Sequence, residues 1–312
     1  MQSLSFYFKK PKILLIGLVK RLNWMFPDKL YLKILFRLEM GYKLSLKNPR
    51  TFNEKIQWLK LYDRKPEYTK MVDKYEAKKY VAGIIGDEYI IPTLGVWNSF
   101  DEIDFDSLPN QFVLKTTHGG GGSGVVICKD KNNFDIEKCK AKIDISMKSN
   151  IYKTLREWPY KNVKPRIIAE EYITNGGDYI NDYKLFCFNG EPKAILIANG
   201  RFVEPETYFD YFDMDFNHFP FRQGGPNYHS KIDIPPLFEE MKDVARKLSK
   251  DLPHARIDLY EYKGKLKFGE ITFFDSSGFE KFEPEEWAVT FGDWIKLPNK
   301  ISYEYIEKNK QV

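Results

Sequence analysis

The chain has 312 residues, 43% of them hydrophobic and 16% aromatic, so it can bury one large core or two smaller ones and is not globally disordered. Its 49 basic and 44 acidic residues give a net charge of +5 without a dense Lys/Arg block among aromatics, which argues against binding to nucleic acid. The three cysteines form no CxxC pair, which argues against a disulfide framework or a structural zinc site and suits a cytoplasmic protein.

The first predicted element is a helix in the apolar run Ile13 to Val19. This run is too short to span a bilayer, and Lys20 and Arg21 follow where a secretion signal would have a small-residue cleavage site. Two interpretations stay open. The commoner one is a helix that packs against the body of the protein. The other is a basic amphipathic segment in peripheral contact with the inner face of the membrane.

Helix signals recur at three later places. Thr51 and Glu54 have the spacing of a capping box at the start of TFNEKIQWLKLY, which belongs to a predicted N-terminal helical region over residues 1–66. A second helix is predicted over EYTKMVDKYEAKKYVAGIIG and ends at Gly83 or Gly86. The third, in PPLFEEMKDVARKLSKDLP, is bracketed by prolines.

The remaining elements are predicted strands. They fall in the segments QFVLKTT, GVVICK, RIIAEEYI, YKLFCFNGEPKAILIANG and ARIDLYEYKGKLKFGEITFF. The last two segments predict hairpins, because Asn189-Gly190 and Gly264 stand between apolar runs. A helical N-terminal third followed by antiparallel hairpins and a few helices predicts an α+β fold.

A glycine loop, Gly119 to Gly124, joins the first two of these strands. It is not a Walker A loop, because Val125 follows it, and it is not a dinucleotide fingerprint, because a strand rather than a helix comes next. What remains is a hairpin tip whose bare N–H groups can approach phosphate, with Lys115 as a fixed positive charge on the incoming strand. The alternative is a plain surface hairpin with a solvated lysine.

Charged residues alternate on the two strands of the last hairpin. Arg256 and Asp258 share one face of the first strand, and Glu270 and Thr272 share one face of the second. With a three-residue loop at 263–265 Asp258 lies opposite Glu270, whereas a two-residue turn misses this register by one. Opposed carboxylates destabilise a sheet unless a cation lies between them, and such oxygen ligands suit Mg²⁺. The alternative is a sheet with a solvated charged face.

The segment IIAEEYITNGGDYINDYK lies between these two constellations. Glu170 and Glu171 end a predicted strand there, and one of them can accept a hydrogen bond from an adenine amino group. The backbone of Tyr172 and Ile173 can then contact the edge of the base. Lys184 follows on the next strand.

The order of these features resembles the ATP-grasp superfamily: a lysine on a strand, a glycine lid, an E-E-hydrophobic hinge, then R-x-D and a later glutamate on a hairpin. More closely, the chain is similar to the TupA-like (teichuronopeptide biosynthesis) family from about residue 25 to about residue 298. The segments that carry the resemblance are TFNEKIQWLKLYD, VDKYEAKKYV, FVLKTTHG, IIAEEYI, NDYKLFCFNGEP, RIDLYEY and FGEITFFDSSGF. It implies an ATP-grasp fold, with a lid subdomain within residues 67–175, a C-terminal subdomain over 176–298 that grips ATP with it, and a polar tail over 299–312.

The resemblance also implies roles for individual residues. Those implied to bind ATP are Lys74, Lys115, Gly119, Gly120, Gly121, Gly122, Ser123, Gly124, Glu170, Glu171, Tyr172, Ile173 and Lys184. Lys115, Lys184 and Arg256 are implied to act in catalysis. Asp258 and Glu270 are implied to hold Mg²⁺, of which two ions are expected. Many ATP-grasp ligases have asparagine two residues after this glutamate, where the present chain has Thr272.

The activity that the resemblance implies is ATP-dependent ligation of a carboxylate to an amine. The carboxylate attacks the γ-phosphate to give an acyl phosphate, and the amine then displaces phosphate to form an amide, with ADP as the other product. For the TupA-like family we expect the carboxylate to be a uronic acid of a cell-surface polysaccharide (capsule, O-antigen or teichuronic type) or its precursor. The expected amine is an amino acid, and the reverse assignment stays open.

Two other classes of function stay open. Asp213-Met214-Asp215 is a D-x-D triplet, which glycosyltransferases use to hold a metal with a nucleotide-sugar, although no parallel βαβ run precedes it. A carbohydrate-binding protein that uses no nucleotide is the third class. The aromatic stretch Tyr208 to Gly225 lines the acceptor side in the ligase interpretation, or else it is a surface insertion with its rings tucked in.

Overall fold

The computed structural model describes residues 11–176, 180–199 and 207–299, so all but the first residue of the predicted polar tail lies outside it. The helices are α1 (Pro11–Arg21), α2 (Asp28–Met40), α3 (Phe52–Tyr62), α4 (Tyr68–Val72), α5 (Glu76–Ile85), α6 (Ile136–Met147), α7 (Ile151–Leu155), α8 (Phe238–Leu248) and α9 (Glu286–Trp294). In the part of the chain that the structure describes, no helix is both long and apolar enough to cross a membrane.

Local sequence explains where the helices begin. The predicted capping box at α3 is confirmed, because the Thr51 hydroxyl accepts a hydrogen bond from the Glu54 N–H and the Glu54 carboxylate accepts one from the Thr51 N–H. The single helix predicted over residues 67–86 is wrong, since this segment forms the two helices α4 and α5. Between them the Asp73 carboxylate accepts a hydrogen bond from the Tyr75 N–H at 2.9 Å, which starts the second helix.

The first sheet is four-stranded and antiparallel, in the order β1-β4-β2-β3. Its strands are β1 (Thr93–Trp97), β2 (Phe112–Thr116), β3 (Val125–Cys128) and β4 (Ile167–Glu171). Helix α6 packs on one face, where Phe112, Leu114 and Ile143 belong to the smaller of the two hydrophobic cores that the described residues form. The other face carries Lys115 and Glu170, because side chains alternate along a strand.

The second sheet has five antiparallel strands in the order β7-β6-β5-β8-β9. They are β5 (Asp182–Phe188), β6 (Glu191–Asn199), β7 (Tyr208–Phe212), β8 (His254–Tyr262) and β9 (Lys265–Thr272). Helix α8 packs on one face through its buried side, which includes Met241 and Val244. The opposite face carries Lys184, Arg256 and Asp258, and this face forms the candidate site.

The larger core surrounds the second sheet and includes the N-terminal helices. Phe52 of α3 packs edge-on against Phe188 of β5, and Val81 of α5 is buried in the same core. Helices α3 and α5 therefore pack in the core of the C-terminal sheet. We propose that the lid subdomain comprises residues 93–171, which lie within the predicted region 67–175.

The pairing of β8 with β9 brings Asp258 opposite Glu270, as expected, but not through the expected three-residue loop. The strands turn through the two residues Lys263-Gly264. That turn alone would leave Asp258 one residue out of register. A β-bulge at Gly269 inserts the missing residue and restores the pairing of the two carboxylates.

Replacing Gly269 by alanine should disturb this bulge. The added Cβ would lie 3.0 Å from the backbone oxygen of Asp258 and 3.0 Å from the ring of Tyr260, closer than side chains normally pack. We expect Gly269→Ala to lower the free energy of unfolding by about 1–3 kcal/mol in a denaturant titration. The matched control is Gly83→Ala in α5, whose Cβ would meet no described atom within 4 Å and which helix propensity favours. Equal losses in the two variants would contradict the role of the bulge.

Candidate active site

A cluster of opposite charges lies on the face of the second sheet that α8 leaves open. Its centre is Asp258 on β8 beside Glu270 on β9. Lys184 on β5 donates a hydrogen bond to Asp258 at 2.9 Å, and Arg256 Nε donates one at 2.7 Å. Lys74, from the segment between α4 and α5, donates to Glu270 at 2.8 Å. The structure thus brings these five predicted site residues together.

The two central carboxylates differ in exposure. The side chain of Asp258 is 5% exposed, whereas that of Glu270 is 36% exposed. Burial alone would raise the pKa of Glu270, but Lys74 and Arg256 outweigh it and hold that pKa well below its ordinary value. The same ion pair raises the pKa of Lys74 against the effect of burial. Both partners are therefore charged at neutral pH, and Glu270 is the carboxylate that a cation from solution can reach.

Arg256 is held by carboxylates on two sides. It donates to Asp258 and, through Nη1, to Asp275, and its Nη2 donates to the Thr272 hydroxyl at 3.3 Å. Burial disfavours its charge, yet Asp258 and Asp275 outweigh burial and raise the pKa of Arg256 well above its ordinary value. Thr272 in turn donates to Glu270 at 3.2 Å. Sequence reasoning missed Asp275, although it stands in the segment FGEITFFDSSGF.

Lys184 is likewise shared between two carboxylates. It donates to Asp182, two residues before it on β5, and to Asp258 across the strand pair. Burial would lower the pKa of Lys184, but Asp258 and Asp182 outweigh burial and raise it. The ammonium group therefore stays charged at a position that the sheet register sets.

The first sheet contributes a second charge cluster, around Glu170 on β4. The ammonium groups of Lys115 on β2 and Lys78 on α5 lie 2.5 Å and 2.6 Å from its two oxygens. Burial alone would raise the pKa of Glu170, but the two lysines lower it to about 2. Both carboxylate oxygens of Glu170 are thus paired with lysines. We therefore propose Glu171, rather than Glu170, for the contact with adenine. Sequence reasoning missed Lys78, because only the tertiary fold brings α5 next to Glu170 on β4.

The predicted hinge, Glu170 to Ile173, lies between the two sheets. The Glu171 N–H donates to the Pro92 carbonyl at 3.1 Å, which fixes the end of β4 beside β1. Asn175 then accepts a hydrogen bond at 3.0 Å from an N–H in the turn between β8 and β9. The backbone of Tyr172 and Ile173 therefore bridges the edge of the first sheet and the tip of the last hairpin.

The glycine loop has an exposed tip and a buried base. Gly121 and Gly122, with φ of +62° and +74°, form the exposed tip in a conformation that other residues rarely adopt. Gly124 at the base is buried, and a Cβ there would overlap the hydroxyl oxygens of Thr116 and Ser146, which hydrogen-bond to each other at 2.8 Å. The run of glycines therefore has two causes: turn geometry at the tip and close packing at the base.

The other residues of the loop are fixed by local contacts. The Ser123 hydroxyl donates to the Gly120 carbonyl at 3.1 Å, inside the loop. Gly119 is buried at the base. His118 before it is also buried, and its Nε2 lies 3.1 Å from the Ser146 carbonyl at the end of α6. His118 thus supports the base of the loop.

Helix α3 holds the segment after β9 in an unusual conformation. Ser276, Ser277 and Gly278 have φ of +45°, +55° and +68°, a region that residues with a Cβ rarely adopt. Gln57 donates to the Ser277 carbonyl at 2.9 Å, and Asn53 donates to the Gly278 carbonyl at 3.1 Å. Both side chains are buried in α3. These hydrogen bonds stabilise a strained turn directly beside the carboxylate cluster.

Lys60 lies on the same polar side of α3 and is fully buried, next to the buried side chains of Ser277 and Glu157. Its ammonium group donates to the Ser277 carbonyl at 2.7 Å and hydroxyl at 2.9 Å, and that hydroxyl donates to Glu157 at 2.6 Å. Burial lowers the pKa of Lys60 to about 7, opposed by the charge of Glu157. The sequence signal that could have revealed this side was the spacing of Asn53, Gln57 and Lys60, which places them on one side of a helix.

The D-x-D triplet is engaged in its own loop. Asp213 accepts hydrogen bonds from the N–H groups of Asp215 and Asn217 at 2.9 Å and 2.8 Å, and from the Asn217 amide at 2.9 Å. Burial would raise the pKa of Asp213, but these hydrogen bonds outweigh burial and lower it. The carboxylate therefore closes the turn after β7.

The aromatic stretch from Tyr208 to Gly225 belongs largely to the core and the edge of the second sheet. Tyr211 and Phe221 are each 2% exposed. Asp210 and Phe212 lie on the face opposite Lys184, in a groove of about 700 Å³. This placement supports the interpretation with tucked-in rings rather than a lining of the acceptor side.

The carboxylates of the cleft suit a metal ion whose other ligands come from a substrate. Within the described residues, no group of three or more His, Cys, Asp or Glu side chains is arranged to hold a metal ion. Asp258 and Glu270 instead offer the one or two carboxylates that Mg²⁺ takes when phosphate oxygens complete its shell. The two residues therefore fit Mg²⁺ that arrives with a nucleotide.

Comparison with known proteins places the chain in a family. The sequence model described as "TupA-like ATPgrasp" matches residues 54–296, well over half of the chain. The fold and sequence are thus those of an ATP-grasp protein, as expected. Within that superfamily the chain belongs to the TupA-like family. No curated protein matches it.

Solved structures with a similar fold are remote. The D-alanine–D-alanine ligase of Bacillus anthracis in complex with ATP has a TM-score of 0.38 and 16% identity over 65% of this chain and 53% of that one. The chain thus spans about half the length of that ligase. The Helicobacter pylori ligase has a TM-score of 0.42 and 15% identity over 80% and 70% of the two chains. D-cycloserine synthetase DcsG has a TM-score of 0.42 and 16% identity over 73% and 70%. Similarities of this size carry no argument about activity.

The buried contacts of Lys60 predict a coupling with Glu157. Lys60→Met should lower the free energy of unfolding by about 3–5 kcal/mol, because it leaves Glu157 buried without a nearby cation. In a double-mutant cycle, Glu157→Gln should lower the free energy of unfolding less in the Lys60→Met background than in the wild type, by about 1 kcal/mol or more. Lys55→Met is the matched control: Lys55 also donates to two backbone carbonyls, at 2.8 Å and 2.9 Å, but those belong to α9 and Ile295. Additive effects of Lys60→Met and Glu157→Gln would contradict the coupling.

Proposed function

We propose that the chain is an ADP-forming carboxylate–amine ligase that uses ATP and Mg²⁺. The observation that carries the proposal is the pair Asp258 and Glu270, side by side on adjacent strands and neutralised by Lys74, Lys184 and Arg256. Two opposed carboxylates destabilise a sheet unless nearby charge compensates them. Here the compensating groups are lysine and arginine, which also bind phosphate. The same residues thus suit a nucleotide together with its metal.

The proposed triphosphate site uses cations that are now paired with carboxylates. Lys74 lies 2.8 Å from Glu270, and Lys115 lies 2.5 Å from Glu170. When bound, Mg²⁺ supplies positive charge that neutralises the transferred phosphoryl group. Lys74 then turns from Glu270 to the phosphate oxygens, while Lys115, fixed on β2, contacts the same oxygens as a point charge.

The glycine loop is the proposed lid over the phosphates. Its tip residues Gly121, Gly122 and Ser123 are exposed, so their N–H groups can approach phosphate oxygens without side chains in the way. Gly119, Gly120 and Gly124 complete the loop and hold the tip near β2. In the same proposal the adenine lies against the hinge, where Glu171 and the backbone of Tyr172 and Ile173 contact its edge.

Catalysis in this proposal rests on positioning and on charge neutralisation. An oxygen of the substrate carboxylate attacks the γ-phosphorus, and the bond to the β-phosphate oxygen breaks to release ADP. Arg256 and Lys184 stabilise the charge that develops on the transferred group. The amine nitrogen then attacks the acyl carbon, phosphate leaves, and the nitrogen loses a proton to give the amide.

The substrates are a uronic acid of a cell-surface polysaccharide, or its precursor, and an amino acid. Support for this assignment is membership of the TupA-like family, together with a cleft that offers cations for a carboxylate. A glycosyltransferase is not favoured, because the Asp213 carboxylate is engaged by its own loop. We expect two Mg²⁺ ions, held by Asp258, Glu270 and the phosphates.

Removing one phosphate-binding or metal-binding side chain should abolish most of the activity. With ATP, Mg²⁺ and pooled uronic acids and amino acids, Lys115→Ala and Glu270→Gln should each lower the rate of ADP release about 10²–10³-fold. The matched control is Lys231→Ala, whose side chain is 89% exposed, and its rate should equal that of the wild type. The ligase proposal fails if the wild type releases no ADP above the rate without pooled substrates.

The tip of the lid should affect the use of ATP more than it affects stability. Gly121→Ala with Gly122→Ala should raise KM for ATP several-fold, because the positive φ angles become strained and the tip can no longer fit the phosphates. Gly41→Ala is the matched control, since Gly41 has a φ of +89° at the end of α2. It should lower the free energy of unfolding and leave KM for ATP unchanged. Equal KM values in all three proteins would count against the lid.

A further inference from the structure

Helix α1, the turn after it and the first turn of α2 expose an unusual number of large apolar side chains. Those that are exposed are Ile13 (42%), Leu14 (58%), Leu15 (45%), Leu18 (48%), Trp24 (77%), Met25 (54%) and Leu30 (47%). Soluble monomers seldom expose apolar surface in such a concentrated form. Together these side chains form the N-terminal apolar surface, within residues 13–30.

The packing of α1 explains why these side chains stay exposed. The helix rests on α2 and α7 through one side only, with Val19 buried and Ile16 partly buried. Lys20 on the same side pairs with Glu39 of α2 at 3.1 Å. Successive helical residues are about 100° apart, so Leu14 and Leu18 point away from that side. A helix that only needed to stay in water would have polar residues there.

The charges around the N-terminal apolar surface are mostly basic. From residue 11 to residue 33 the basic residues are Lys12, Lys20, Arg21, Lys29 and Lys33, and the one acidic residue is Asp28. Arg64 binds Asp28 at 2.6 Å, and Arg156 binds it at 2.9 Å, so it does not offset the exposed cations. Lys12, Arg21, Lys29 and Lys33 are exposed.

We propose that the N-terminal apolar surface docks the protein on an anionic lipid surface. Leucine and tryptophan side chains would enter the boundary between headgroups and acyl chains, and the exposed lysines and arginine would bind the anionic headgroups. This combination fits a lipid surface better than a second copy of the chain, since two such basic surfaces would repel each other. The protein would lie on the membrane with α1 parallel to its plane.

The proposal is tested by flotation of the full chain with vesicles in the absence of ATP. The wild type should bind vesicles of phosphatidylcholine with phosphatidylglycerol, and should bind phosphatidylcholine alone more weakly. Leu14→Glu with Leu18→Glu should lower partitioning more than about tenfold, because burying each leucine is worth about that factor. Arg21→Gln and Lys29→Gln should each lower it about fivefold on the anionic vesicles.

Ile145→Glu is the matched control, because Ile145 is also exposed, at 73%, but lies on α6. It should bind vesicles like the wild type. A blue shift of tryptophan emission on binding should be lost in Trp24→Phe, which shows that the surface itself meets the lipid.

Three results would overturn the proposal. The first is absence of wild-type binding to anionic vesicles, and the second is undiminished binding of the Leu14→Glu, Leu18→Glu variant with an unchanged thermal unfolding midpoint. The third is a wild-type dimer that this variant dissociates while no vesicles bind, which would make a second copy the partner. None of these results depends on the ligase activity, so the two proposals are tested separately.

Discussion

The repulsion between Asp258 and Glu270, which face each other across β8 and β9, is the constraint around which the cleft is built. Such a pair persists in a sheet only with cations beside it. Lys74 comes from the loop between α4 and α5, while Lys184 and Arg256 come from the sheet itself. Elements that are far apart in the sequence must therefore pack together before the cleft is stable. In our proposal the same charges bind Mg²⁺ and phosphate, and the Lys74–Glu270 pair adds a polar contact between the helical region and the second sheet.

Residues outside the charge cluster hold the backbone around this pair in place. The bulge at Gly269 sets the register of the two carboxylates, and α3 holds the strained turn of Ser276 and Ser277 beside them. Strained backbone of this kind persists where surrounding contacts determine it and is common at functional sites. This explains why buried polar side chains of α3, among them Gln57 and Lys60, donate hydrogen bonds to the turn at Ser277, far away in the sequence.

Features that depend on local sequence were predictable, and features that depend on packing were not. The capping box at Thr51, the strands that flank the glycine loop and the hairpins follow from short-range patterns. The pairing of Asp258 with Glu270 was predicted from a three-residue loop, whereas the structure has a two-residue turn and a bulge. The bulge could not be predicted, because a single glycine leaves no periodic signal in the sequence. Lys78 and Asp275 were missed, since only the tertiary fold shows which carboxylate or arginine each one meets.

In our proposal Asp258 and Glu270 form a metal site that nucleotide phosphates complete. The most direct measurement is a calorimetric titration of the full chain with a non-hydrolysable ATP analogue, with and without Mg²⁺. Binding should be at least about tenfold tighter with Mg²⁺, because without the metal the phosphate charges would lie close to the two carboxylates. Equal affinity in both conditions, or no binding in either, would rule out such a metal site.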